Sequence, residues 1–158
     1  MVIIDKKMLG SGNSKNFVSS DKKIGLCHGC FDILHFGHVK HFEEAKTLVD
    51  LLIVSITSDE YVGKGAGRPF FDQELRAGVL EAIKFIDIVA VNQFETAESV
   101  IQFFKPNLYI KGPDYRESEN EALLAEIQAI RRIGGDVHFT SGVKYSSTEL
   151  FKALYSQL

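Results

Sequence analysis

Four of the chain's five histidines, His28, His35, His38 and His41, fall between positions 28 and 41. His35 and His38 are three apart, so a helix through them turns both imidazoles toward one bound group. Gly37 between them leaves room for a ligand to approach the backbone. Imidazoles at a helix start, beside free backbone N–H groups and the positive end of the helix dipole, suit an anion such as a phosphate chain. Two other uses of these residues stand beside that one. The histidines can be ordinary hydrogen-bonded members of a helix start. Cys27 and Cys30, with two residues between them and histidines nearby, also have a spacing found in zinc sites, although the usual second ligand pair is missing from the sequence. A thioredoxin-like redox use is the least favoured alternative, because that motif opens a helix and these cysteines stand at a strand end.

The elements that must position these residues follow from hydrophobic periodicity. Residues 24–27 form a short apolar run that ends in the turn 28–32. Val39, Phe42, Ala45 and Val49 then recur at helical spacing, which predicts a helix from about 35 to 49. Residues 51–56 read as a buried parallel strand. Asp72 is placed to cap a helix whose inner face carries Leu75, Val79, Ala82 and Ile83. Further strands are predicted over 86–91, 108–110 and 137–139. Helices follow from Ala97, Val100, Ile101 and Phe104, from Leu123, Ile127 and Ile130, and over 148–158. Pro106 and the Gly134-Gly135 pair end the two inner helices. Strands alternating with helices imply an α/β fold: a Rossmann-like doubly wound parallel sheet of about five strands, with helices on both faces. Such sheets bind ligands at the carboxyl ends of their strands, where the histidine stretch lies. Residues 1–23 read as an N-terminal arm or loop and 24–158 as one domain.

Composition narrows the classes. The chain has 158 residues, 45% of them hydrophobic and 25% charged, which suits one globular domain. A net charge of −3 argues against nucleic acid as a partner. No apolar run approaches the roughly 18–20 residues that span a bilayer, and the first residues lack the pattern of a signal peptide. With two cysteines and no disulfide framework, a cytoplasmic protein without membrane partners is expected. The stretch Gly63-Lys64-Gly65-Ala66-Gly67-Arg68 lacks the register of a P-loop. It is read as a basic loop at the mouth of the site, with Arg68 as an acceptor contact or as a plain surface residue.

Gly29-Cys30-Phe31-Asp32-Ile33-Leu34-His35-Phe36-Gly37-His38 resembles the signature of the cytidylyltransferase-like nucleotidyltransferases, whose hallmark is His-x-Gly-His. Phe42-Glu43-Glu44-Ala45-Lys46, Gly67-Arg68-Pro69, Gln73-Glu74-Leu75-Arg76, Lys111-Gly112-Pro113-Asp114-Tyr115 and Ser146-Ser147-Thr148 resemble further blocks of that family, in the right order. The nearest likeness is to adenylyltransferases that make ADP-heptose from a heptose 1-phosphate, and next to glycerol-3-phosphate cytidylyltransferases. Residues 141–145 lack the arginine that the glycerol-phosphate enzymes carry there, and 117–133 is longer than in the heptose enzymes.

The resemblance implies transfer of a nucleoside monophosphate from ATP or CTP to a sugar or polyol phosphate, with AMP ahead of CMP, Mg²⁺ on the triphosphate, and a homodimer. It implies that His35 and His38 donate hydrogen bonds to the triphosphate, and that Lys46 and Arg76 add positive charge. Outside the family context Lys46 would be a solvated lysine, and Arg76 a surface partner of Asp72 or Glu74. Gly29, Cys30, Phe31, Asp32, Gly37, Lys111, Gly112, Asp114 and Tyr115 are placed beside the nucleotide. Asp32 is free to orient a histidine or to cap the helix. Ser146, Ser147 and Thr148 either cap the last helix or hold triphosphate oxygens at its start. A non-catalytic nucleotide-binding regulatory module is the alternative of another class.

Overall fold

Runs of β-branched and apolar residues become the strands of one parallel sheet. The computed structural model describes residues 1–11, 17–18, 21–116, 118 and 120–141. The sheet is built from β1 (Val2–Ile4), β2 (Ile24–Gly29), β3 (Leu51–Thr57), β4 (Ile88–Asn92), β5 (Leu108–Lys111) and β6 (Asp136–Phe139). Its order is β1-β4-β3-β2-β5-β6, and every pairing is parallel. The helices are α1 (Lys6–Ser11), α2 (Phe36–Thr47), α3 (Gln73–Glu81), α4 (Glu98–Phe104) and α5 (Glu121–Arg132). Asp72 caps α3 by accepting from the Leu75 N–H at 2.8 Å, and Asn120 caps α5 by accepting from the Ala122 N–H at 2.8 Å. The expected closing helix over 148–158 lies outside the described residues.

Side chains alternate across the sheet and divide the core into two layers. Ile24, Leu26, Ile53, Ala90 and Tyr109 face α4 and α5, whose Val100, Ile101, Phe104, Leu123 and Ile130 close that layer. Cys27, Leu52, Val54, Ile56, Val89, Val91 and Ile110 face the opposite way, against Phe42 and Ala45 of α2 and Ala77 and Leu80 of α3. The doubly wound reading therefore holds, with helices on both faces.

Two expectations are corrected. Residues 1–11 are not an arm: Val2, Ile3 and Ile4 pair with Ala90, Val91 and Asn92, and so make a sixth strand at the sheet edge. Three residues are too few for periodicity to separate strand from tail, and the pairing partner lies far along the chain. The second correction concerns α3. Leu75 and Val79 are exposed, and the helix buries Arg76, Ala77 and Leu80 instead. The 3.6-residue period was present in both stripes, and the network around Arg76 selects the buried one.

Chain order reverses beside β2. The path runs from β2 through β3 to β4 on one side, then crosses to β5 and β6 on the other. The carboxyl ends of β2 and β5 thus flank a crevice at a topological switch point.

Candidate active site

At that crevice β2 ends in His28 and Gly29, followed by Cys30, and β5 ends in Ile110 and Lys111, followed by Gly112. Two pockets share this crest. One lies on the α2 side and is lined by His35, Gly37, His38, His41, Asp114 and Tyr115 together with the strand ends. The other lies on the α5 side and takes Thr57, Tyr61, Glu95, Asn120 and Glu126. His28, Gly29, Cys30, Lys64, Lys111 and Tyr115 line both.

The histidine pair is set by the start of α2. His35 is the N-cap in extended conformation, so its ring folds back over the first turn, and the rings of His35 and His38 stack with centroids 3.8 Å apart. The His35 N–H donates to His38 Nδ1 at 3.4 Å. An accepting Nδ1 leaves the proton on Nε2, the tautomer that can donate to a phosphate oxygen. Phe31 supports His38 edge-on at 5.4 Å and packs on Phe42. Phe31 adopts a left-handed backbone (φ 48°), and its ring lies where a Cβ on Gly29 would stand, 3.1 Å away. A side chain at 29 would press on the Phe31 ring that supports the pair, and the ring would have to shift by a few tenths of an ångström to admit it.

Burial keeps His28, His38 and His41 neutral. It lowers His38 to about 3, helped by the positive potential of His35, His41 and Lys64. Burial, then the Lys111 charge, lowers His28 to about 4, and the same two causes in the same order lower His41 to about 4. His28 Nδ1 lies 2.6 Å from Ser55 Oγ, and His41 Nδ1 lies 3.0 Å from Thr140 Oγ1. Above the ordinary value of 6.5 these rings are neutral in both folded and unfolded chains. Below it the unfolded chain takes up protons that the fold refuses. Stability should therefore fall as pH drops from 6.5 toward 4, by on the order of 1 kcal/mol per pH unit for each histidine. Urea midpoints measured at pH 7 and pH 5 check this; a flat profile between them would contradict the neutral burial of the three rings.

Lys111 is buried under the crest. Its ammonium lies 3.4 Å from the His28 carbonyl, 3.3 Å from Tyr109 Oη and 3.6 Å from Glu126 Oε2, and 4.3 Å from the Tyr115 ring centroid. Gly112, Asp114 and Tyr115 follow in the turn after β5, where the resemblance places them.

Several expected site residues stand elsewhere or do other work. Lys46 lies in the last turn of α2, at the opposite end from the histidines, and holds Asp50 O at 2.8 Å and Asp87 Oδ2 at 2.5 Å. A lysine eight residues beyond His38 is about two helical turns along the axis, too far to share a phosphate with it. Lys46→Ala should keep turnover within about twofold of wild type and lose no more than about 1 kcal/mol of stability. Steady-state rates and urea titration test both halves, and a large drop in rate would return Lys46 to the site.

Arg76 does not pair with Asp72 or Glu74 on the surface, and its guanidinium is engaged by protein groups. Its buried guanidinium donates to Phe71 O, Cys30 O, Thr57 O and Asp59 Oδ1, tying the turn after β2 to the end of β3. Asp32 neither orients a histidine nor caps α2. It is buried, accepts from the Phe70 and Phe71 N–H groups at 2.8 and 3.0 Å, and pairs with Arg68 Nε at 2.5 Å. Burial pushes its carboxyl up, but these bonds outweigh that and hold it below its ordinary value. Arg68, expected at the acceptor, has only 5% of its side chain exposed in this pair.

Cys27 sits fully inside the α2-side core while Cys30 lines the pockets, and burial raises both thiols. Among the described residues no cluster of three or more His, Cys, Asp or Glu is arranged to hold a metal. Ser146, Ser147 and Thr148 lie outside the described residues.

The sequence reading put the basic loop 63–68 at the mouth of the site but singled out Arg68, whereas Lys64 is the residue of that loop that lines both pockets. Its position after the carboxyl end of a central strand was the available signal. His28 was named in the histidine cluster but given no role of its own, and Glu126 was missed, since it sits among α5 residues that carry no motif.

The profile of the family described as "Cytidylyltransferase-like" matches residues 26–153. The "Bifunctional protein HldE" of Campylobacter jejuni is 46% identical over 100 residues, which cover 62% of this chain and 22% of that protein. The protein of that name from Nitrobacter hamburgensis is 38% identical over 133 residues, covering 82% of this chain and 26% of the relative. The chain thus spans about a quarter of the length of the curated relatives it matches. Among solved structures, the lipopolysaccharide core biosynthesis protein from Thermoplasma volcanium superposes with a TM-score of 0.63 at 26% identity, covering 79% of this chain and 99% of that one. No helix among the described residues is long and apolar enough to cross a membrane. The motif opening α2, the crevice beside it and the profile spanning both core layers agree on one assignment: the chain belongs to the cytidylyltransferase-like family.

Proposed function

We propose that this chain is a nucleotidyltransferase that moves a nucleoside monophosphate from a nucleoside triphosphate to a sugar or polyol phosphate. ATP is preferred to CTP, and a heptose 1-phosphate-like acceptor is the leading candidate. The observation that carries this reading is the stacked His35–His38 pair, sharing a pocket with Lys64 and Lys111 at the carboxyl ends of β2 and β5. An oxygen of the acceptor phosphate attacks the α-phosphorus, the bond from that phosphorus to the bridging oxygen breaks, and pyrophosphate leaves. The attacking oxygen is already anionic, so the chain needs no strong general base. It must instead gather negative groups and stabilise the charge that moves onto the leaving group. A neutral His38 donating through Nε2 beside His35, with the Lys64 and Lys111 ammonium groups, suits that task.

The triphosphate fits the α2-side pocket and the acceptor the α5-side pocket, whose Thr57, Glu95 and Asn120 suit the hydroxyls of a polyol. Mg²⁺ would travel on the triphosphate and shield its oxygens. Among the described residues, the α2-side pocket lining carries one carboxylate, Asp114, and is otherwise better matched to phosphate than to a cation. A cytoplasmic homodimer belongs to the same proposal. Pyrophosphate release should be measured for the four triphosphates against a panel of sugar and polyol phosphates. Release with one pair supports the reading. Nucleotide binding with no release across the panel would reject it in favour of a regulatory module.

A further inference from the structure

Lys111 combines features that seldom occur together. It is a lysine with 6% of its side chain exposed, on the crest that both pockets share. An ammonium has three N–H donors. Its contacts to the His28 carbonyl, Tyr109 Oη and the Glu126 carboxylate are 3.4, 3.3 and 3.6 Å, all longer than the usual 2.9–3.0 Å of an N–H···O bond. The cation is thus surrounded without being tightly bound, which leaves its donors able to turn toward a ligand.

Glu126 is the counter-charge. It projects from α5 and is itself buried, with 7% of its side chain exposed. One oxygen accepts from the Ala97 N–H at 3.0 Å, and the other from Tyr109 Oη at 2.7 Å. The first bond anchors the carboxylate to the start of α4 and the second to β5. Burial pushes its carboxyl up, yet Lys111, His28 and these two bonds hold it below its ordinary value. Glu126 is therefore a fixed negative charge behind Lys111, on the side away from the histidine pair. A buried ammonium left with only neutral acceptors would lose its proton or swing out of the site.

We propose that Glu126, acting through Lys111, is a positioning residue: it holds the ammonium at the partition between the two pockets, where phosphate oxygens on either side can reach it. The inference rests on the reading of these pockets as phosphate sites, and it adds a role for α5 that the motifs do not carry. Tyr109 serves the same arrangement, since its hydroxyl touches both Glu126 and Lys111.

The test is a double-mutant cycle on the full chain, with inorganic tripolyphosphate binding followed by calorimetry. Glu126→Gln should fold, because the amide keeps its size and can still accept from Ala97. It should weaken tripolyphosphate about tenfold, the order expected of one charge-assisted contact. In a Lys111→Met background the same change should have almost no effect. Tyr109→Phe, which keeps the carboxylate, should act in the same direction by a smaller factor that also vanishes with Lys111→Met. A merely structural role would lower thermal stability equally in both backgrounds and leave the affinity of the folded fraction unchanged, which would overturn the proposal. Tighter binding by Glu126→Gln would overturn it as well, because the carboxylate would then be competing with the anion. If wild type binds no tripolyphosphate, the site reading itself fails. That result is distinct from binding by wild type that Glu126→Gln leaves unaltered.

Discussion

His38→Ala is expected to lower kcat by about 100- to 1,000-fold, the loss seen when one preorganised donor to a developing charge is removed. The ring stacks on His35, is backed by Phe31 and accepts at Nδ1 from the His35 backbone, so its Nε2–H is fixed before substrate arrives. An interaction that strengthens as charge moves onto the leaving pyrophosphate lowers kcat more than it changes KM when lost. The fold should survive, because alanine continues the helix and removes a ring whose burial disfavours its charged form. Acid stability should improve, since one neutral buried imidazole is gone. Pyrophosphate-release kinetics alongside urea unfolding separate these effects. Turnover within about threefold of wild type, far short of the loss one such donor implies, would remove His38 from the reaction.

Arg76→Met should fail in the opposite manner, by losing the fold rather than the chemistry. The guanidinium donates to Cys30 O at 2.6 Å, Thr57 O at 2.9 Å, Phe71 O at 3.0 Å and Asp59 Oδ1 at 2.6 Å. Methionine fills the volume but leaves three carbonyls and a carboxylate without their donor. Stranding the three carbonyls costs about 1–3 kcal/mol each, while Asp59, with 39% of its side chain exposed, can turn to water; for a chain of this size the loss lowers Tm by on the order of 10 °C. Arg76→Lys should recover little, because an ammonium cannot reach partners spread around a planar fork. Thermal unfolding, with activity normalised to folded protein, is the measurement. A variant as stable as wild type that specifically loses triphosphate affinity would restore the phosphate-binding role implied by the motif.

Much of this architecture is legible in the sequence because inner parallel strands and one-sided helices carry strong periodic signals. The strands around 51–56 and 108–110 and the stripes Val100–Ile101–Phe104 and Leu123–Ile130 emerge where the periods place them. The edge strand at 2–4 escapes, since a three-residue pairing is decided by a partner at 90–92. The histidine pair is legible for the same local reason: its spacing, the glycine and the preceding strand all lie in one short stretch.

Charged residues are harder to read. Lys46, Arg68, Arg76 and Asp32 all fall within or beside family blocks, yet motif position does not reveal what a long side chain reaches. Arg76 and Asp32 are consumed by backbone groups of loops distant in sequence, and Arg68 by Asp32. Lys64 and Glu126 enter through the fold instead, from a loop and a helix that only the sheet order brings to the crevice.

The alternation of β2 across the sheet also bears on how such a protein can change. Cys27 faces the apolar layer under α2, while His28 faces the side where Lys111 and Glu126 meet. Deleting or inserting a single residue within β2 would exchange these two, placing an imidazole among Phe42 and Leu52 and a thiol beside the ammonium. Residues 62–67 obey no such parity, because backbone outside the sheet has no alternation to preserve, whereas Arg68, Phe70 and Phe71 just beyond them are fixed by Asp32. Variation in length is therefore tolerable where Lys64 approaches the pockets and ruinous a few ångströms below. The strand ends act as a fixed frame, and the loops around them are the part free to adapt to a different acceptor.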